Sequence, residues 1–274
     1  MDSLVYLFVP AIDEKKIAKA FQSSADAVIL DLEDAIRVED KANARRTLVQ
    51  ALKNHSSSTK KIIVRINPID TPWFHEDLTI LTQTKPDAVM LPKCESCSHI
   101  QTIASDIQDI EIIPLIESAR GVWHAYDILQ SSEQVKRLAF GSVDYALDIG
   151  TEWSEDGTER HFAMNHLVLA SRTAGADSPI DAVFPQLDNK QAFLFDGAYG
   201  RKIGFYGKLI IHPKHINWVR EVYRPNEEQM EWSKRIVEAF ETRTETGAFS
   251  LDGKLIDFPV YKLAKKMVEM VRSL

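Results

Sequence analysis

Two cysteines in 274 residues are too few for a disulfide framework, so this fold has to rest on its packed core. The pair, Cys94 and Cys97, forms a C-x-x-C after the apolar stretch 89–92. No second Cys or His pair accompanies it, as a zinc site would need, and nothing else in the chain points to redox chemistry. Both are read as incidental thiols. Positive charge is also scarce: 33 Lys and Arg against 40 Asp and Glu leave a net charge of −7, which argues against a nucleic-acid partner. No run of ~18 apolar residues occurs, so no membrane span is expected. The opening residues, Met1 to Phe8, lack the basic stretch of a signal peptide and enter an apolar run directly. Repeats and low-complexity segments are missing apart from Ser56-Ser57-Ser58. The remaining composition, 45% hydrophobic and 27% charged, is that of a soluble globular protein, and a cytoplasmic enzyme is the expectation.

Short apolar runs alternate with longer amphipathic stretches almost from end to end. The runs fall at 5–9, 27–30, 62–66, 88–91, 112–116, 137–140, 180–184 and 208–211, and they are near-continuously hydrophobic, as strands buried on both faces of a parallel sheet must be. Helix-period segments such as 14–22 and 41–53 lie between them. Eight strands with intervening helices predict a (β/α)8 TIM barrel over residues 1–225. The seventh run is the weakest, because Asp181 interrupts it and Pro179 precedes it. Residues 226–274 form a C-terminal helical extension, with a helix capped by Asn226 and running to about 242, a turn-rich link, and a last helix with Pro259 in its first turn. This tail is too short for an independent domain and reads as an arm or cap.

In such a barrel the chemistry sits where strands end. Ile112 to Ile116 runs into Glu117, and Leu138 to Val143 runs into Asp144. Two strand-end carboxylates next to small residues present oxygen ligands that suit Mg²⁺ rather than zinc. Other strand ends supply Asp31, Glu33 and Asp34, then Arg65 and Asn67, then Lys93, and finally His212. Ionised groups converge on one face only if something compensates them, and a cation among the carboxylates would do so. Each also has a plainer reading. Glu33 and Asp34 can be helix-start acids, Arg65 can pair structurally with one of them, Lys93 can face solvent, and His212 can be a turn histidine. Lys15 and Lys19 share a helix face at i,i+4. They are either a solvated surface or a phosphate anchor at the barrel's mouth.

Eight motifs appear in order: Leu7-Phe8-Val9-Pro10, Ala27 to Ala35, Val64 to Asn67, Met90 to Lys93, Ile113 to Gly121, Phe140 to Tyr145, Gly207 to Pro213, and Leu255-Ile256-Asp257-Phe258-Pro259. Together they resemble the citrate lyase β-subunit-like branch of the HpcH/HpaI aldolase family over essentially the whole chain. The resemblance implies a Mg²⁺-dependent acyl-CoA lyase on a TIM barrel, usually a homotrimer. By motif it implies Glu117 and Asp144 as metal ligands, with Glu117 also at the substrate, and Arg65 at the substrate's reacting oxygens. Asp257 matches the acid/base aspartate that the arm delivers to a neighbouring subunit's site. Phe8, Lys15 and Lys19 match positions that contact CoA, which passes the backbone of Leu209 and Ile210. Ala11 departs from the usual glycine, which narrows the path of the CoA chain without forbidding it.

The chemistry implied is cleavage of a 3-hydroxyacyl-CoA to acetyl-CoA and a 2-oxo acid. (3S)-Citramalyl-CoA or malyl-CoA is the expected substrate, giving pyruvate or glyoxylate, and the short tail beyond Asp257 favours a stand-alone lyase. Citryl-CoA lyase with oxaloacetate as product is the alternative, as is a malate-synthase-like or thioesterase activity. A non-catalytic scaffold would need the acids replaced, yet Glu117, Asp144, Arg65 and Asp257 are all present.

Overall fold

A computed structural model describes residues 3–243 and 247–272. The chain divides into two compact units, Asp2–Glu221 and Val222–Leu274. In the first, seven strands pair in parallel: β1 Val5–Pro10, β2 Ala27–Asp31, β3 Lys61–Arg65, β4 Ala88–Leu91, β5 Glu111–Ile116, β6 Ala139–Phe140 and β7 Lys208–Ile210. Their order is β6-β5-β4-β3-β2-β1-β7, so β1 lies between β2 and the last strand. The predicted strand over 180–184 is reduced to two bridging residues. Ile180 pairs with Ala139 of β6 and Asp181 with Lys208 of β7, which joins the sheet's two edges into a ring. The α/β, TIM-barrel architecture is therefore present, with its seventh position nearly vestigial.

The reason lies in Asp181. Its carboxylate faces Lys208 Nζ at 2.6 Å, and the same ammonium lies 2.7 Å from Asp196 on the helix Lys190–Ile203. Arg160 Nη2 reaches the other oxygen of Asp196 at 2.7 Å. Lys208 is fully buried. Burial alone would discharge it, but Asp181 and Asp196 more than offset that and hold its pKa above the ordinary lysine value. An ionic clasp thus reinforces the seam where strand pairing is shortest.

Alternation along the strands decides what enters the barrel. Tyr6, Ala27, Ile29, Ile63, Ala88, Met90, Ile113, Leu115, Ala139, Ile180 and Leu209 form one buried cluster, with Phe8 packed against it. Two residues on from Ile29, Ile63, Leu115 and Ala139, the same face carries Asp31, Arg65, Glu117 and Gly141. The inward face is apolar through the barrel and turns polar at its C-terminal mouth.

In the second unit, the helix Glu227–Glu241 begins with a capping box between Asn226 and Gln229. The hairpin β8 Phe249–Leu251 and β9 Lys254–Ile256 turns through Asp252 and Gly253, both at positive φ. The helix Phe258–Arg272 follows, with Pro259 in its first turn. Ile236, Ile256 and Ala264 make a small core with Trp232, Phe240, Phe249 and Tyr261 around it.

Candidate active site

The registers of β2 and β3 place Asp31 directly beside Arg65. Arg65 Nε and Nη2 donate to the two Asp31 oxygens at 2.7 and 2.8 Å, a fork-on-fork pair that fixes the guanidinium plane. Asp31 also accepts the backbone N–H of Glu33 at 2.9 Å and of Ala35 at 3.2 Å, which folds the following loop back over the strand end. Arg65 Nη1 lies 2.8 Å from Glu33 Oε2, and the guanidinium covers the Phe8 ring at 4.7 Å. Burial disfavours the Arg65 charge, but Asp31, Glu33 and Asp34 outweigh it and raise its pKa above the ordinary arginine value. Arg65 is a permanent cation. Its structural pairing and its place at the mouth are both real, so the two readings of Arg65 are compatible.

Glu117 continues the inward face of β5 and is 4% exposed. Its Oε1 accepts the backbone N–H of Lys93 at 2.7 Å. Lys93 stands at φ 50, a left-handed backbone that a non-glycine residue adopts at a cost of about 1–3 kcal/mol. That geometry aims its N–H at Glu117 while its ammonium reaches Glu33 Oε1 at 3.3 Å. Burial, then the charges of Glu33 and Asp144, push the Glu117 carboxyl up to about 8 against the pull of that N–H. Burial likewise pushes Glu33 up to about 7, with Arg65 and Lys93 opposing. Gly141 makes room for this arrangement, since a Cβ there would stand 2.6 Å from Glu117 Oε2 and 2.8 Å from Glu117 Cβ. Asp144 lies in the first turn of the helix Ser142–Asp148, half-buried.

Among the described residues no group of three His, Cys, Asp or Glu side chains is arranged to hold a metal. The mouth nevertheless fits a Mg²⁺ ion. Both Glu33 oxygens are buried with only the ion-pair contacts of Arg65 and Lys93, and burial with the neighbouring acids opposes ionisation of Glu117 more strongly than Lys93 N–H and Arg65 favour it. The donors are all oxygen, and Mg²⁺ characteristically takes one or two carboxylates and keeps several waters.

The remaining expected residues are distributed as follows. Lys15 and Lys19 lie on the helix Glu14–Gln22, which Asp13 caps, and both are exposed. Leu209 and Ile210 are buried within β7, beyond which Ile211 emerges 45% exposed. Ala11 is fully buried and its N–H donates to Asp31 O at 2.9 Å. Asp257 belongs to the second unit, where its Oδ1 accepts the N–H of Val260 at 3.0 Å and caps the last helix. His212 is the turn histidine of the plainer reading, with Nδ1 accepting from Lys214 N at 3.1 Å. Cys94 is fully buried, and burial pushes its thiol up to about 12, so it is no nucleophile.

Sequence reasoning missed Lys41 and Gly141. Lys41 lies on the inward face of the helix Lys41–Asn54, formed by positions 41, 44, 45, 48, 51 and 52, and two basic residues, Lys41 and Arg45, in register with the apolar positions of that face were the available signal.

The chain is similar to known proteins. Residues 4–213 match the family model described as HpcH/HpaI aldolase/citrate lyase. The citrate lyase subunit beta of Escherichia coli strain K12 is 33% identical over 272 residues, covering 94% of this chain and 90% of that protein. The mitochondrial citramalyl-CoA lyase of Homo sapiens is 29% identical over 290 residues, covering 98% and 85%. Among solved structures, protein CitE from Mycobacterium tuberculosis in complex with magnesium, acetoacetate and coenzyme A superposes with a TM-score of 0.84 at 29% identity, covering 97% of each chain.

Proposed function

This chain belongs to the HpcH/HpaI aldolase/citrate lyase family, and from that premise we propose that it cleaves (3S)-citramalyl-CoA or malyl-CoA to acetyl-CoA and pyruvate or glyoxylate. The observation that carries this reading is the joint placement at one barrel mouth of a fixed cation, Arg65, and a buried, cation-deficient carboxylate, Glu117. Glu117 and Asp144 are the residues to hold Mg²⁺ there. Bound Mg²⁺ supplies Lewis-acid polarisation and lowers the pKa of a hydroxyl it coordinates.

Arg65 faces the oxygen on which charge builds as the carbon–carbon bond breaks. Its plane is already locked by Asp31, so little reorganisation accompanies the reaction, and one such donor is worth on the order of 3–4 kcal/mol. Transfer of the substrate's hydroxyl proton to water lets the O–H electron pair form the keto group as the bond between the carbinol carbon and the thioester's α-carbon breaks, releasing the 2-oxo acid and the enolate of acetyl-CoA. Asp257 of a neighbouring copy returns a proton to the enolate carbon, or removes it in the condensation direction. Phe8, Lys15 and Lys19, with the backbone of Leu209 and Ile210, hold the CoA moiety, the two exposed ammonium groups taking its phosphates.

The assembly we propose is a cytoplasmic homotrimer. Trp123, Leu147, Phe162, Leu169 and Phe195 are each more than 60% exposed on the first unit, and Leu255, Phe258 and Leu263 more than 50% around Asp257, as surfaces that meet another copy would be. No helix among the described residues is long and apolar enough to cross a membrane.

Steady-state cleavage of citramalyl-, malyl- and citryl-CoA, measured side by side with EDTA controls, tests the reading. The expected result is a higher kcat/KM for one of the first two, abolished by EDTA and restored by Mg²⁺. Preferred cleavage of citryl-CoA, or turnover indifferent to EDTA, overturns it.

A further inference from the structure

Behind the mouth lies a buried polar chain that none of the roles above uses. Lys41 is 5% exposed, and its Nζ donates to Leu32 O at 2.7 Å, Glu33 O at 2.8 Å and Asn67 Oδ1 at 2.7 Å. Three donors meet three acceptors, and none of the acceptors is a carboxylate. The ammonium therefore saturates neutral groups in place of an ion pair, an arrangement whose product is geometry. Asn67 passes the connection on: its side-chain amide and its backbone N–H both donate to Asp77 Oδ2, at 2.6 and 2.9 Å. Asp77 Oδ1 accepts from Arg45 Nη1 at 3.0 Å. Lys41 and Arg45 project from one helix face, and the Trp73 ring lies 5.2 Å from Lys41 Nζ.

This chain connects two consecutive strand ends. The carbonyls of Leu32 and Glu33 belong to the loop after β2, and Asn67 stands two residues beyond Arg65 at the end of β3. We propose that Lys41 is a positioning residue, tying the 32–33 turn to Asn67 and thereby setting Glu33 against Arg65 for the cleavage step. The inference rests on the role given to Arg65 above. Lys41 touches neither substrate nor metal; it acts through the backbone that carries Glu33. Misplacing a reacting group by about 1 Å from a distance costs about 10²-fold in rate.

The test is Lys41→Met, which keeps the stem and removes the donors, measured in the Mg²⁺-loaded full chain with the thioester that wild type cleaves fastest. The expected outcome is a kcat lower by about 10²-fold, with KM for the thioester within about threefold and the Mg²⁺-induced rise in Tm retained. A well-folded variant with kcat within about threefold of wild type overturns the proposal, and so does a KM that rises in step with the fall in kcat. If Lys41→Met does not fold, Asn67→Ala leaves the ammonium and its two carbonyl bonds in place. It is expected to lower kcat about tenfold, and an unchanged kcat there overturns the proposal too. Should wild type cleave none of the thioesters, the function assigned above fails, and a crystal structure of whichever variant folds decides the positioning separately. Glu33 displaced from Arg65 supports it, and an unaltered contact refutes it.

Discussion

Replacing Glu117 by Gln should make the metal-free protein more stable while removing its response to Mg²⁺. An ordinary glutamate releases its proton near pH 4.5, whereas folded Glu117 keeps it up to about 8. Between those values the native state binds a proton that the unfolded chain has lost, so raising the pH costs stability at about 1.4 kcal/mol per pH unit. Above pH 8 the loss levels off at about 5 kcal/mol. Glutamine is isosteric, carries no charge to bury, and retains an oxygen to accept the Lys93 N–H. The two metal-free proteins should therefore be equally stable near pH 4.5 and diverge up to pH 8. At about 2 °C per kcal/mol for a chain of this length, the variant then melts about 10 °C higher. Mg²⁺ narrows the gap above pH 8 to about 2 kcal/mol, because a ligand at 100 times its Kd adds about 2.7 kcal/mol to wild type and nothing to a protein that cannot bind it. Thermal melts of both proteins from pH 4.5 to 9, in EDTA and in MgCl₂, read this directly. Parallel pH curves for the two metal-free proteins would refute the burial argument, and an equal Mg²⁺ shift in both would refute Glu117 as a ligand.

Three further outcomes follow from the geometry. Gly141→Ala sets a Cβ 2.8 Å from Glu117 Cβ, a clash no side-chain rotation relieves; it should cost about 1–3 kcal/mol and abolish the Mg²⁺ shift, and a wild-type melt with a normal shift would contradict it. Lys208→Met strands Asp181 in the clasp and leaves Asp196 to Arg160 alone, with an expected loss of about 3–5 kcal/mol in urea unfolding; a loss under about 1 kcal/mol means the clasp contributes little. Asp257→Asn keeps an equally good helix cap, so stability should be unchanged while kcat falls by about 10²-fold or more. Unimpaired turnover in that variant removes Asp257 from the proton chemistry.

The barrel was legible in the sequence because strands buried on both faces spell themselves as continuous apolar runs, and six of the runs became full strands beside the short Ala139–Phe140. The run at 180–184 misled because its periodicity says nothing about an ion pair: Asp181 is drawn to Lys208, a residue 27 positions away. Arg65 and Glu117 could be picked out as polar residues at strand ends. Their mutual arrangement could not, since the Asp31 fork depends on register and the Glu117 cavity on a missing Cβ at Gly141. Lys41 escaped notice because sequence reading treats a lysine on a helix as solvated, and only tertiary structure reveals three carbonyl oxygens waiting for it.

The pairing of Val5 with Lys208 has a consequence for how the molecule is made. β1 leaves the ribosome about 200 residues ahead of this second neighbour, which at about 5–20 residues per second is a delay of roughly 10–40 s. Throughout that interval β1 offers an apolar, unsatisfied edge to any other nascent chain. The β1–β7 pairing is thus among the last strand contacts of the barrel available to form, and misassembly during synthesis should concentrate there.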